Sequence, residues 1–399
     1  MQYIDIFAGC GGLSLGLYNA GLHGIFAIEK NQDAFNTLRT NLIDNKNHFS
    51  WVDWLNKSPH DIDELLEKNK DELISLRGTV DLVAGGPPCQ GFSMAGQRKH
   101  DDSRNHLVYS YIKFISYIKP EFIFFENVRG ITQKFKEDNM SIKYSDKIID
   151  ELESLGYSIS SKIIDMSEYG IPQARKRFIL IGSLNHNPDE VFDKLGKNKY
   201  TFLKLNSLNE HITIEEAIGD LLCTNPNRPC PDYPTYNSSI YGKITSPYQA
   251  FMRKDIDKDE NIANSHRFAK HTDKIIELHN KIIEKNIRSK RITPKDNIID
   301  GLLRRGVTLL DKDGIAPTVT SHPDDMVHYK EPRILTVREC ARLQSFPDWY
   351  KFTGKYTTGG QLRKKDVPRY TQVGNAIPPL FAEQIGLAFL EVIKGEKYE

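Results

Sequence analysis

A doubly wound α/β sheet joined to a smaller, irregular domain is the fold the sequence predicts, and three observations predict it. Short, continuous apolar runs alternate with helix-patterned segments through residues 1–185, the rhythm of a mostly parallel sheet covered on both faces. Chemically active side chains close these runs: Glu29, Cys89 and Glu126 each stand at or just past the carboxyl end of an apolar strand, where ligands of such sheets bind. From about Leu184 the texture changes, with Asn, Pro, Lys and Tyr frequent and prolines at 226, 229, 231 and 234.

Taken in order, Tyr3 to Phe7 reads as a short buried strand, Gly12 to Asn19 as a helix, and Gly24 to Ile28 as a second strand closed by Glu29. A polar helix (Asp33 to Leu42), the aromatic piece Phe49-Ser50-Trp51-Val52, an acidic-basic helix (Asp61 to Leu76) and the strand Val80 to Ala84 follow. A helix from Leu107 to Ile118 then leads through Pro120 to the strand Phe122 to Phe125, closed by Glu126. The later region holds one helix pattern, Lys270 to Lys285, and a basic cluster at Arg288, Lys290, Arg291, Arg304 and Arg305. "RILTVRECARLQSFPDWY" reads as a helix from Val337 to Gln344 stopped by Pro347, with Cys340 in its core, and the C-terminal segment recovers an amphipathic helix. The predicted domains are 1–185 with 370–399, and 186–369 including the helix region 333–347.

The 399 residues, 39% hydrophobic and 27% charged, are those of an ordinary globular chain with room for two domains. With 54 Lys+Arg against 53 Asp+Glu, a uniformly basic coat is excluded, so a polyanion must be met by local patches. No run of eighteen apolar residues and no basic N-terminal leader is present, so neither a membrane span nor a signal peptide is expected and the compartment is read as the cytoplasm. The five cysteines are odd in number, scattered, and lack Cys-x-x-Cys spacing; free thiols and no metal site are expected.

Three stretches carry chemistry. In "YIDIFAGCGGLSLGL" a strand runs into a glycine-rich turn and a helix N-terminus, where backbone N–H groups and the helix dipole favour a negative group. Ser14 takes the place of the third glycine of the dinucleotide fingerprint, while Glu29 suits ribose hydroxyls, so a nucleoside cofactor other than a nicotinamide is expected. Cys89 follows Pro87-Pro88 and precedes a basic run with Arg98, Lys99 and Arg104; such an electropositive loop favours the reactive thiolate over an inert core thiol. Glu126 lies on the next strand, beside Phe124 and Phe125, where an apolar pocket would keep a proton on it near neutrality. Arg175 and Arg177, at alternating positions, are expected on one face of one strand, able to grip a carbonyl and a phosphate together. A thiolate, a proton donor and a nucleoside cofactor suit addition to an electron-poor heterocycle.

With these residues in view, "DIFAGCGGLSLGL", "GGPPCQGFS", "FENV", "YGIPQARKRFILIG", "RILTVRECARLQSFPDWY" and "QVGNAIPP" stand in the order seen in cytosine-5 DNA methyltransferases, which the whole chain resembles. The match covers residues 1 to about 185 and about 315 to 395; the region between resembles only the family's habit of a variable recognition segment. The resemblance implies the methyltransferase variant of the doubly wound sheet (Rossmann-like, mostly parallel with an antiparallel strand), with the C-terminal helix packed on the N-terminal sheet. It implies S-adenosyl-L-methionine as cofactor: Phe7 stacked on the adenine, Gly9 and Gly11 near the methionine part, Glu29 on the ribose, Asp53 on the adenine amino group, and Pro87 and Asn375 completing the site. The "WVDWL" around Asp53 departs from the family's small-residue context. It implies Cys89 as nucleophile, Glu126 facing ring nitrogen 3, and Arg177 on the cytosine carbonyl with Arg175 close behind. Ser93, Arg104, Gln173 and Thr318 would contact DNA, the loop from Ser93 to Arg104 closing over the base.

Carbon 5 of cytosine is too poor a nucleophile to take a methyl group unless a thiolate first adds at carbon 6, and the base must leave the duplex stack to be reached. Double-stranded DNA is thus the expected partner, met by a monomer, with a cognate restriction endonuclease as a possible companion. An RNA (tRNA) cytosine-5 methyltransferase on the same scaffold and a catalytically silent DNA-binding homologue are the alternatives, and the long variable segment favours DNA.

Overall fold

The apolar runs of the first half fold as strands β1 (Gln2–Ile6), β2 (His23–Ile28), β3 (Leu82–Gly85) and β4 (Phe122–Val128), all nearly dark to solvent. The computed structural model describes residues 1–88, 106–133, 143–257, 259–302, 306–357 and 366–395. Helices α1 (Gly12–Asn19), α2 (Gln32–Leu38), α3 (Ile62–Lys68), α4 (Lys70–Ser75) and α5 (His106–Ile118) alternate with these strands. After them come α6 (Tyr144–Ser154), β5 (Ser158–Asp165), β6 (Gln173–Ala174) and β7 (Lys176–Ser183).

The main sheet has the order β2-β1-β3-β4-β7-β5. The pairs β1/β2, β1/β3 and β3/β4 are parallel, whereas β7 runs antiparallel to both β4 and β5. The chain leaves β1 toward β2 on one side and returns to β3 on the other, so the switch point of the sheet lies at the carboxyl ends of β1 and β3. Tyr3, Ile4, Phe26, Val83, Ile123, Phe124 and Ile181 fill the interior. Near-continuous apolar strands of this kind are what burial on both faces requires.

Two predicted helices are interrupted. The helix expected over Asp33 to Leu42 keeps α-geometry only to Leu38, then widens into a π-helical stretch, Arg39–Asn45. Buried Asn41 donates its side-chain amide to Thr37 O at 2.7 Å, inserting into the backbone ladder there. The helix expected over Asp61 to Leu76 breaks at Asn69, whose φ of −120° ends α3 and opens α4.

The structure divides into two compact units: Met1–Met166 with Lys176–Lys199 and Phe381–Glu399, and Ser167–Arg175 with Tyr200–Leu380. Helix α7 (Pro188–Leu205) follows β7. In the second unit lie α8 (Ile214–Ile218), β8 (Asn227–Cys230), β9 (Tyr233–Ser239), α9 (Pro247–Met252), α10 (Asp273–Lys285), β10 (Arg291–Ile292), β11 (Val307–Leu309), β12 (Ala316–Pro317) and β13 (Met326–Val327). Helices α11 (Val337–Leu343) and α12 (Arg369–Asn375) follow, and α13 (Pro379–Gly395) closes the chain. From Phe381 onward α13 belongs to the first unit: Phe389 packs edge-on against Phe122 at 5.3 Å, and Gly386 leaves no room for a Cβ beside Ala20. The run Arg369–Gly395 is long and apolar enough to cross a membrane by composition, yet 72% of its apolar window is buried in the protein, as in a core helix.

Among the described residues, the second unit has only short sheets, β10-β11-β13, β6/β12 and β8/β9, so much of the buried backbone described there has no ladder to join. Arginines take that role. Arg338, fully buried, donates to the carbonyls of Asn264, Pro347 and Tyr350, and Arg342 bridges the buried carboxylates of Asp220 and Asp348. Arg333 makes a two-pronged contact with Glu339, 2.8 Å on each arm, and Glu339 closes a capping box with Thr336 at the start of α11. A small cluster of Ile282, Ile292, Ile299, Val307, Leu309 and Val327 supplies a separate apolar core.

Candidate active site

The turn after β1 is built from backbone conformations that side chains usually avoid. Phe7 (φ 62°), Gly9 (φ 57°) and Gly11 (φ 87°) are all left-handed, which turns the chain sharply from β1 into α1. A side chain at Gly9 would meet nothing among the described residues within 4 Å, so open space borders this loop. Glu29, past the end of β2, is held from two sides: Gly9 N–H donates to Oε2 at 3.0 Å and Asn31 N–H to Oε1 at 2.7 Å. Burial raises its carboxyl above the usual range, and those N–H donors oppose the rise.

Asp53 is exposed in a turn whose ends are fixed inside: Trp51 is buried and donates Nε1–H to Leu55 O at 2.7 Å. The bulky "WVDWL" context thus anchors the turn and leaves Asp53 facing outward. An aromatic face at half-exposed Phe7, an aimed carboxylate at Glu29 and open space at Gly9 form a cradle that fits a nucleoside with a charged tail.

Behind the loop lies a pair the sequence reading passed over. Ser14 donates to Asp5 Oδ2 at 2.5 Å, tying β1 to the first turn of α1, while Asp5 Oδ1 has no hydrogen-bond partner among the described residues. Burial, with Glu29 nearby, raises the Asp5 carboxyl to about 7, against the pull of the Ser14 hydrogen bond. An acid inside "YIDIF" was the available signal, since an unpaired carboxyl is rare in a core strand.

At the next two strands, Gly85 pairs with Phe125, which brings Gly86 beside Glu126. Added Cβ atoms would lie 2.3 Å from Ile6 O at Gly85 and 3.1 Å from Glu126 Oε2 at Gly86, so both glycines permit close approach. Asn127, buried, donates Nδ2–H to Pro87 O at 3.1 Å and pins the segment that leads into Cys89. Cys89, Ser93 and Arg104 lie outside the described residues. Three residues of chain separate Cys89 from Gly86, a reach of about 11 Å at full extension.

Glu126 is 9% exposed, and Arg177 Nε lies 3.0 Å from its Oε1. On the β4/β7 ladder Arg177 stands opposite Val128, one diagonal step from Glu126 on the same face. The apolar pocket expected around Glu126 is therefore corrected: Phe125 faces the other side of the sheet, against Tyr111 and Phe178, and a guanidinium meets the carboxylate.

The expected pairing of Arg175 with Arg177 on one strand face also needs correction. Arg175 lies between β6 and β7, is 1% exposed, and donates to Gly374 O at 3.3 Å and Ala376 O at 2.9 Å. It therefore grips the carbonyls on either side of exposed Asn375, while Gln344 Nε2 donates to Val373 O at 2.7 Å. Gln173, expected on DNA, is fully buried: Nε2 donates to Leu343 O and Gln344 Oε1, and Oε1 accepts from Val319 N–H. Thr318, half-buried, donates its hydroxyl to Ala174 O at 2.5 Å. The polar side chains of "YGIPQARKRF" suggest an outward face because the distant carbonyls they satisfy leave no mark in a local pattern. Among the described residues, Cys10, Cys223, Cys230 and Cys340 form no disulfide, and Cys340 is core.

The model of the C-5 cytosine-specific DNA methylase family matches residues 1–391. A Type II methyltransferase, M.DdeI of Desulfomicrobium norvegicum, is 31% identical over 96% of this chain and 87% of its own, and M1.HphI of Haemophilus parahaemolyticus is 29% identical over 99% and 88%. Among solved structures, a candidate DNA modification methyltransferase encoded within an E. coli prophage superposes with a TM-score of 0.69 at 26% identity, covering 99% of both chains. The S. pombe Dnmt2 methyltransferase shares the fold, with a TM-score of 0.54 at 15% identity over 100% of both chains. The chain belongs to the C-5 cytosine-specific DNA methylase family.

Proposed function

We propose that the chain methylates carbon 5 of a cytosine extruded from duplex DNA, with Cys89 as nucleophile and Glu126 and Arg177 as the groups that meet the ring. The observation that carries this reading is the Glu126–Arg177 pair, 3.0 Å apart and nearly buried, beside the Gly86-Pro87 segment that delivers Cys89. S-adenosyl-L-methionine, when bound, supplies an electrophilic methyl group. Phe7, Gly9, Gly11, Glu29 and Asp53 hold it on the first unit, with Pro87 alongside.

The Cys89 thiolate forms a bond to carbon 6, and the electron pair of the 5,6 double bond moves into the ring, where nitrogen 3 shares a proton with Glu126. Arg177 donates to the carbonyl oxygen as charge builds there and holds Glu126 in place. Carbon 5, now electron-rich, would take the methyl group that S-adenosyl-L-methionine supplies, the methyl–sulfur bond breaking with its electron pair left on sulfur. Loss of the carbon 5 proton to solvent base then expels Cys89 and restores the aromatic ring. Extrusion of the base costs on the order of a few kcal/mol, which contacts to DNA must offset. Those contacts are assigned to the second unit and to Ser93 and Arg104. A monomer acting on the cytoplasmic nucleoid, with a restriction endonuclease sharing its target, suits this reading and the Type II relatives.

The test is to incubate the protein with S-adenosylmethionine and either duplex DNA or tRNA, digest to nucleosides and identify products by mass spectrometry. 5-Methylcytosine is expected in DNA; methylation confined to RNA, or on the exocyclic nitrogen, overturns the reading.

A further inference from the structure

The basic cluster singled out in the sequence is largely committed inside the second unit. Arg288 donates to the carbonyls of Leu310 and Tyr329, and Arg291 pairs with Asp325 at 3.2 Å. Residues 304 and 305 lie outside the described residues. Cations without an acidic partner among the described residues stand elsewhere, on and beside the two-stranded ribbon of β8 and β9.

That ribbon is exposed along Asn227, Arg228 and Pro229 and again along Tyr233, Pro234 and Thr235, with Arg228 paired opposite Ser238. Its base is fixed. Tyr356 donates its hydroxyl to Asp232 at 2.9 Å, Arg369 pairs with the same carboxylate, and the Arg369 guanidinium covers the Tyr356 ring at 4.2 Å. On this base sits a layered stack: Arg267 lies 3.9 Å from the Tyr356 ring, 4.2 Å from Tyr236 and 5.5 Å from Tyr233, and Lys270 lies 4.7 Å from Tyr236. Tyr233 itself is 48% exposed and meets Tyr236 edge-on at 5.3 Å. Arg228, Arg267 and Lys270 pair with no carboxylate among the described residues, whereas many surface lysines, such as Lys68 and Lys281, do.

A rigid base, unneutralised cations and exposed aromatic rings are complementary to a polyanion that presents flat bases. A two-stranded ribbon also fits the width of the major groove. We propose that the β8–β9 ribbon is a DNA-gripping and target-reading element of the second unit, an inference that rests on the DNA substrate proposed above. Lys270 meets backbone phosphate, Arg228 and Tyr233 reach toward base edges, and Arg267 with Tyr236 and Tyr356 holds the ribbon rigid.

The experiment uses the full chain with Arg228→Ala/Lys270→Ala, its charge-keeping counterpart Arg228→Lys/Lys270→Arg, and Tyr233→Ala. Duplex binding is followed by fluorescence anisotropy across a salt series, without methyl donor, and circular dichroism melts verify folding. Removing two charges that meet DNA should lower the slope of log K against log salt by about two and raise KM for DNA, and the counterpart should restore the slope. Turnover at saturating DNA should stay within about twofold, because these residues lie outside the chemistry. Tyr233→Ala should change the methylated sequence context or weaken binding. Unchanged slope, KM and context in folded variants, including the case where the ribbon docks a protein instead, overturns the inference. Failure of the wild-type chain to methylate DNA would overturn the functional reading instead, while the anisotropy series still decides the ribbon.

Discussion

Arg177 reaches across the β4/β7 ladder to place its Nε 3.0 Å from Glu126 Oε1, with both side chains almost enclosed. A carboxylate so held has a fixed orientation before any substrate arrives, which is the condition for meeting one ring nitrogen reproducibly. Glu126→Gln should retain the shape, lose the shared proton, and lower methyl transfer by about 10²–10⁴-fold. Arg177→Lys should fail as well, since an ammonium cannot replace a planar fork that serves two acceptors. Single-turnover methyl transfer, with cofactor affinity as a control, checks both.

Gly86→Ala tests the same carboxylate from the other side. Its Cβ would stand 3.1 Å from Glu126 Oε2, so the carboxylate must shift by a few tenths of an ångström to accommodate it. Turnover should fall while the melting temperature stays near that of the wild type. A drop in stability with normal turnover would show that Gly86 serves the backbone alone.

Asp5 predicts a pH dependence of stability. Its folded carboxyl is raised to about 7, well above the ordinary value, so between about pH 4 and 7 the folded state binds the proton that the unfolded state has released. Stability contributed by this group therefore falls as pH rises through that window. Asp5→Asn should flatten that part of the curve, measured by urea denaturation from pH 5 to 8, and a parallel curve for the variant would contradict the assignment.

In the second unit, Asp348→Asn should be strongly destabilising. Arg342 Nη2 meets Asp348 Oδ2 at 2.7 Å with neither exposed, and loss of one partner of such a pair leaves a buried charge short of compensation, at about 3–5 kcal/mol. Chemical denaturation checks the figure. A change below about 1 kcal/mol would match an exposed pair and contradict the burial described.

Much of the first unit was legible because its physics is local and periodic. Apolar runs such as Phe122 to Phe125 can only be buried strands, and Glu29 and Glu126 announced themselves by ending such runs. Interruptions were less visible: Asn41 and Asn69 break helices through single side-chain or backbone choices that periodicity averages away. Asp5 and Ser14 were missed because their partnership spans a turn. The second unit resisted reading for a different reason. Arg175, Gln173 and Arg338 look like surface residues in sequence, yet each is spent on backbone carbonyls far away in sequence, those of Ala376, Leu343 and Asn264. Charge in a pattern does not say whether water or backbone receives it.

The most direct measurement is covalent trapping on duplex DNA in which the target cytosine carries fluorine at carbon 5, in the presence of S-adenosylmethionine. Fluorine cannot leave as a proton does, so the sulfur–carbon 6 bond should persist and mass spectrometry should find the adduct on the peptide bearing Cys89. An adduct on another residue, or none from a preparation that methylates ordinary DNA, would contradict the account.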